Sequence, residues 1–170
     1  MDKVLSTVLL VVAAVVTVVM VINAVYPAVG ESASALSSVS AKTADRVKSQ
    51  FQIIHATGEL DKNGTWQDIN LDGNFDLFIW AKNTGTITID DVKNADVFIG
   101  HDGSWERINH YDYAGSNLPS WNYSVENGTA WTQASTIKIE ISYTAPLSSG
   151  EYRVKFIIPN GIADEFDFSL

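Results

Sequence analysis

Residues 4–30 carry no charged side chain, and residues 4–22 are almost unbroken Val, Leu, Ala and Ile. A bilayer core is spanned by about 20 apolar residues at ~1.5 Å rise each. The segment therefore reads as a transmembrane helix, and the rest of the chain reads as a domain tethered by it. Secretory apolar regions run to about 7–15 residues before a small-residue cleavage site. This run is longer and passes into a helical pattern, which favours a retained anchor over a cleaved signal. Lys3 is followed directly by Val4, so no prepilin-type leader junction is evident. Lys3 and the amino group precede the span and Glu31 is the first charge after it, which places the N-terminus inside and the domain outside.

Charge narrows the function. The formal net charge is −9, and Asp2 and Lys3 cancel within residues 1–30, so the excess lies wholly on the remainder. An acidic domain is a poor match for nucleic acid, whose phosphates require a basic face, and for anionic lipid headgroups. Without cysteine there are no disulfides, thiolate zinc sites or Cys nucleophiles. Three N-x-Ser/Thr sequons, at Asn63, Asn122 and Asn127, mark candidate glycosylation sites and agree with an exported domain. Asn and Thr also recur in β-turns, so chance sequons are the plain alternative.

The helical pattern extends past the span. Residues 32–50 lack Gly and Pro, and apolar residues recur at Leu36, Val39, Val47 and Phe51, a narrow stripe at helical period. Pro27 should kink the helix or interrupt one turn. A continuous helix over 4–51 would be a rod of roughly 70 Å. A lone Ser/Ala-rich helix is marginal in water. Small side chains also let helices approach closely, which makes Ala28, Ala35, Leu36, Val39 and Val47 candidates for self-association through the helix. A solvated stalk is the other reading.

From Phe51 the period becomes 2. Expected strands cover 52–59, 76–83, 86–89, 95–100, 106–109, 135–143, 151–159 and 163–169, with turn residues at 83–85, 102–103, 148–150 and 159–161. The expected fold is thus α+β: an N-terminal transmembrane segment over 1–30, a helical extension over 31–50, and an antiparallel Ig-like or archaellin-like β-sandwich over 51–170.

Chemistry is sparse. Asp68, Asn70, Asp72 and Asp76 stand at positions 1, 3, 5 and 9 of a calcium-type loop, with Gly73 at position 6. Position 12 is Ile79 and the flanks are strands, so this is no EF-hand. Either the loop holds a hard cation such as Ca2+, or it is a polar turn satisfied by its own side chains. His55, His101 and His110 form no ligand pair at helical spacing, and no nucleophile elbow or phosphate loop appears; the chain reads as a non-enzyme. Trp80 reads as core. Trp105, Trp121 and Trp131 read as loop-side aromatics, suited to protein contacts or glycan stacking, or to covering the end of the sandwich.

An apolar N-terminal helix feeding a β-sandwich, the segment Phe75–Gly85 followed by Ile87, Ile89 and Asp96–Gly100, the stretch 21–29, the Asp45-Arg46 pair with Lys48, and Pro159-Asn-Gly161 together resemble archaeal type IV pilin-like (archaellin-like) proteins. Within that superfamily they look most like the FlaG (ArlG) family of archaellum stator proteins. The resemblance implies a mechanical role in swimming: a membrane-anchored component in the pseudoperiplasm that self-assembles through its helix. There it would act with a FlaF-like partner against the surface-layer protein. Archaellin or pilin filament subunits share the architecture and are the alternative, and a calcium-dependent cell-surface adhesion module is a second one.

Overall fold

The computed structural model describes residues 2–170; Met1, at which the expected 1–30 segment opens, lies outside the described residues. The chain divides into two compact units, Met1–Ala44 and Asp45–Leu170. One helix, α1 (Asp2–Lys48), supplies the described part of the first unit and ends within the second. It is long and apolar enough to cross a membrane, and none of its residues is buried. Pro27 lies inside it without ending it. The helix hydroxyls turn back on their own backbone: Ser6, Thr7, Thr17, Ser32, Ser34 and Thr43 each donate to the carbonyl four residues earlier, and Ser38 to the one three earlier. Such back-bonding satisfies the hydroxyls without any outside partner.

The second unit is an eight-stranded sandwich. Its strands are β1 (Phe51–Gly58), β2 (Phe75–Asn83), β3 (Asp96–His101), β4 (Ser104–His110), β5 (Ser120–Glu126), β6 (Thr136–Tyr143), β7 (Glu151–Ile157) and β8 (Ala163–Ser169). They lie in the order β1-β2-β6-β5-β4-β3-β7-β8. All pairings are antiparallel except β4–β5, which join in parallel only at Asn109–Ser120 and His110–Trp121. The two outer strands meet without a ladder, where the Ile53 N–H donates to the Asp164 carboxylate at 2.7 Å. The sheet thus nearly closes around one core.

Alternation decides which side chains enter that core. Ile137, Ile139 and Ile141 of β6 are fully buried, as are Leu77, Ile79 and Ala81 of β2 and Val97, Val154 and Phe156 opposite. In β1 the alternation slips at a bulge between Ile53 and His55, so Ala56 rather than His55 faces inward. Phe156 is the aromatic centre, with ring centroids of Phe51, Trp121 and Trp131 within 5.3–6.2 Å of its own.

Three expectations change. Trp121 and Trp131 are core residues, each 1% exposed: 120–126 forms β5, whose Trp121, Tyr123 and Val125 face inward, and Trp131 is bridged to Ile89 and packs on Phe51 and Phe156. Conversely Trp80 lies half-buried on the outer face of β2, its ring stacked on His55 at 5.5 Å. Residues 86–89 form no strand: the Thr86 N–H caps the Lys48 carbonyl at 2.7 Å and the Ile89 N–H reaches the Trp131 carbonyl at 3.0 Å, so the segment's groups are committed elsewhere.

The end of α1 is fixed by the corner 83–86. Thr84 and Gly85 donate to the Gln50 carbonyl, and a Cβ on Gly85 would lie 2.0 Å from the Lys48 carbonyl oxygen and 2.6 Å from the Gln50 nitrogen. Both are backbone atoms and cannot swing aside. Gly85→Ala should therefore destabilise the full chain by about 3 kcal/mol or more, whereas Gly30→Ala, where a Cβ meets nothing within 4 Å, should leave the sandwich unchanged. Thermal unfolding of both variants in detergent checks the contrast.

Candidate functional site

The connection from β1 to β2 brings Asp68, Asn70, Asp72 and Asp76 together, as their spacing implies. Asp68 accepts the N–H groups of Asp72 (3.1 Å) and Gly73 (2.9 Å), and Asp72 accepts that of Asn74 (2.8 Å). Leu71 and Gly73 both take positive φ, 61° and 88°, to turn the chain. The Asn70 amide nitrogen stands between two carboxylates, 3.2 Å from Asp72 Oδ2 and 3.2 Å from Asp76 Oδ2. That is a place a cation would take, and here a neutral donor fills it. Among the described residues, no three Asp, Glu, His or Cys side chains are arranged as a metal cage.

Glu59 completes this loop and was not singled out from sequence. Its Oε1 accepts the N–H groups of Ile69 (3.0 Å) and Asn70 (2.9 Å), which holds the loop over the sheet. A lone glutamate at a strand end gives no local sign of such a role; only the fold of the loop supplies its partners. Glu59 is 7% exposed and Asp76 0%, and each keeps one oxygen, Glu59 Oε2 and Asp76 Oδ1, without a hydrogen-bond partner. Burial raises the Asp76 carboxyl above the ordinary carboxylate range; hydrogen bonding from the Ser142 hydroxyl works against this, and the nearby Glu140, Asp72 and Glu59 add to it. The loop is therefore a self-satisfied polar turn on its outside and an electron-rich, under-donated pair of carboxylates at its base.

The other candidates lie apart. The sequon asparagines Asn63, Asn122 and Asn127 are all exposed, the first and last in turns and Asn122 on β5. Ala28, Ala35, Leu36, Val39 and Val47 are exposed along α1. The histidines share no site. His55 stacks on Trp80, His101 stacks on Tyr152 at 4.3 Å, and His110 is buried among Tyr113, Trp121 and Tyr123. His110 Nδ1 accepts the Asp112 N–H and caps the short helix α2 (Tyr111–Ala114), and burial lowers its pKa.

A family model and solved structures point to archaeal-type flagellin and archaellum proteins. A family model described as archaeal-type flagellin matches residues 2–168. A protein of Archaeoglobus fulgidus is 26% identical over 176 residues, covering 98% of each chain. Among solved structures, the archaellum periplasmic stator protein FlaG from Sulfolobus acidocaldarius is similar at a TM-score of 0.54 and 25% identity, covering 71% of this chain and 99% of that one. The FlaF and FlaG stator complex from the same organism matches at 0.51 and 27%, covering 70% and 88%. Flagellin FlaB1 from Methanocaldococcus jannaschii matches at 0.51 and 18%, covering 71% and 89%, a likeness of fold.

The buried carboxylate at the loop base carries a pH prediction. A raised folded-state pKa means that the proton on Asp76 stabilises the fold. That contribution is complete below the ordinary carboxylate value of about 4 and is lost as the pH climbs through the raised value. In chelator-treated protein, Asp76→Asn should raise stability at pH 7 by about 1 kcal/mol and flatten its decline over that window. Melting temperatures of both forms against pH provide the check.

Proposed function

The chain belongs to the archaeal-type flagellin family, and from that footing we propose that it is a membrane-anchored structural component of the archaellum, of the stator kind. The observation that carries this reading is the structural match to the FlaG stator chain, which covers 71% of this chain and 99% of that one at 25% identity. In this reading residues 4–30 anchor the chain in the cell membrane with the N-terminus inside, and the sandwich stands in the pseudoperiplasm. A FlaF-like protein binds the sandwich, as the similarity to one half of a FlaF and FlaG complex supports. The pair then bears against the surface-layer protein. Self-association runs along the helix through Ala28, Ala35, Leu36, Val39 and Val47. The family and the structural neighbours are archaellum components, which agrees with a mechanical rather than a catalytic task.

The family description and the flagellin likeness favour a second reading, a filament subunit. Cryo-electron microscopy of native membranes separates the two. Short helix bundles that remain in the membrane and reach the surface layer are expected. Long extracellular fibres built from chains with a trimmed N-terminus would overturn the stator assignment.

Two site proposals belong to the same outward-facing domain. Ca2+ enters the Asp68–Asp76 loop by displacing the Asn70 amide, and Asn70, once turned, presents its carbonyl oxygen with Asp68, Asp72 and Asp76. Hard cations favour such oxygen sets. Asn63, Asn122 and Asn127 are glycan acceptors in the native organism, which mass spectrometry of tryptic peptides would test.

Three outcomes are expected. Ca2+ raises the melting temperature of the natural chain but not that of Asp72→Ala; an equal rise in both would remove the ion from this loop. Val15→Lys, at a cost of about 2.5–3.5 kcal/mol at the centre of the span, sharply lowers the membrane-retained fraction; normal retention would count against the anchor. Ala35→Trp weakens self-association in crosslinking of native membranes, and unchanged oligomers would sink the proposed helix seam.

A further inference from the structure

An aromatic and polar platform occupies the outer face of the second half of the sandwich. The turn 102–103 joining β3 to β4 has positive φ at both residues, 48° at Asp102 and 79° at Gly103, the conformation of a tight two-residue hairpin. Trp105 follows at once, opposite Gly100. The indole rests on that glycine, for a Cβ there would lie only 3.0–3.1 Å from the ring. The ring is thus fixed by backbone beneath it while the residue stays 47% exposed. Gly100 is also opposite Arg153, and Arg153 opposite Asp167, so Trp105, Gly100, Arg153 and Asp167 form one row across four strands.

The polar end of the row is equally fixed. Arg153 donates through Nε to Asp167 Oδ1 at 2.5 Å and through Nη2 to Asp167 Oδ2 at 2.9 Å. This fork holds the guanidinium with its carboxylate, and its Nη1 lies 3.8 Å from Glu165 Oε2. His101, the next residue along β3, faces the other side of the sheet, where its ring stacks on the buried Tyr152 at 4.3 Å, its Nδ1 lies 3.0 Å from the Glu151 carbonyl and its Nε2 lies 3.3 Å from Asp102 Oδ2. The shallow cavity between these groups measures about 280 Å³.

We propose that this platform binds a neutral pyranose sugar of a glycan, stacked on Trp105 with its hydroxyls hydrogen-bonded to Arg153 and Asp167. A sugar ring presents an apolar C–H face to an aromatic plane and a rim of hydroxyls that both donate and accept. The platform supplies that combination, a pinned open indole beside pinned donors and acceptors. A protein hot spot would instead surround its tryptophan with contacts that exclude water, and the lining here is polar and charged. Asp102, Glu151 and Asp167 against Arg153 leave two excess negative charges in the cavity, counting His101 as neutral. That excess disfavours uronic or sulfated sugars. The site stands independently of the stator reading.

The test uses the full chain in detergent and saturation-transfer NMR with methyl α-mannopyranoside, methyl β-glucopyranoside, maltotriose and glucuronate. Neutral sugars should bind at about millimolar affinity, Trp105→Ala should weaken them about tenfold or more, and Asp167→Asn should weaken them less. Trp105→Phe, which keeps an aromatic plane, should retain part of the binding, and the melting temperature of each variant verifies its fold. Tighter binding of maltotriose than of the monosaccharides would place an internal glycan segment on the platform, and equal binding a terminal residue. The proposal fails if no neutral sugar transfers saturation, if Trp105→Ala binds as the natural chain does, or if glucuronate binds as tightly. It fails also if Trp105→Ala strips only a protein partner while no sugar is bound.

Discussion

The corner 83–86 is the constraint on which the sandwich unit depends. A helix ends with several carbonyls that have no partner within it, and here the following β-domain supplies donors: Thr86 for Lys48, and Thr84 and Gly85 for Gln50. Ser49 turns both its N–H and its hydroxyl to the Asp45 carbonyl, and the Asn160 amide donates to the Ser49 hydroxyl. The Arg46 guanidinium bonds the Asn160 carbonyl at 2.8 Å. Asn83, wholly buried, gathers the loops behind this corner. Its amide donates to the Ile87 and Trp131 carbonyls and accepts from the Gly85 N–H. A buried amide with this many partners fixes one backbone arrangement, because any other would leave polar groups unpaired. The last turn of α1, Asp45–Lys48, is thus joined to the sandwich by hydrogen bonds.

Much of this architecture was legible because its periods are clean. β6 alternates Ile with polar residues without fault, and β7 and β8 alternate nearly as well, so their existence and inward faces followed from sequence; β2 is apolar on both faces from Leu77 to Ala81, so it was legible as a strand while Trp80 fell on the face opposite to the one expected. The unread parts share a cause. β5 begins with Ser-Trp-Asn-Tyr-Ser after Asn-Leu-Pro, a composition that reads as a turn, and only burial separates its inward Trp121 from a loop aromatic. Residues 86–89 alternate like a strand, but their N–H groups serve as a helix cap and a bridge, and pairing partners lie beyond any local pattern. The Asp68–Asp76 loop was visible from its spacing, whereas its keystone Glu59 acts across ten residues of chain through a fold no motif describes.

The two halves of the sandwich carry different surface chemistry. Over β1 and β2 the loop buries two carboxylates that receive few donors, a costly arrangement in a dry site. A cation would offset that cost, which is why the proposed Ca2+ response and the pH response of Asp76 are opposite faces of one property. Over β3, β7 and β8 the charges are paired outside in the open, Arg153 with Asp167 and Lys155 with Glu165. Exposed pairs of this kind contribute little to stability. Their value is geometric, since they hold a flat polar rim beside Trp105.

The helix sets the last condition. Its apolar residues from Val4 to Val29 are all exposed in the isolated chain, and a surface of that size needs lipid or protein over it. In the proposed assembly the covering of the helix changes beyond Gly30 from lipid to partner helices. Leu36, Val39 and Val47 stay exposed, the hydroxyls of Ser32, Ser34, Ser38 and Thr43 are taken up by the helix's own carbonyls, and most side chains between are small. Such a face asks for no specific polar contact and permits close approach. Direction and length then have to come from elsewhere. In the proposed assembly they come from the sandwich, whose corner fixes where each helix ends and whose acidic surface keeps neighbouring domains from collapsing onto one another.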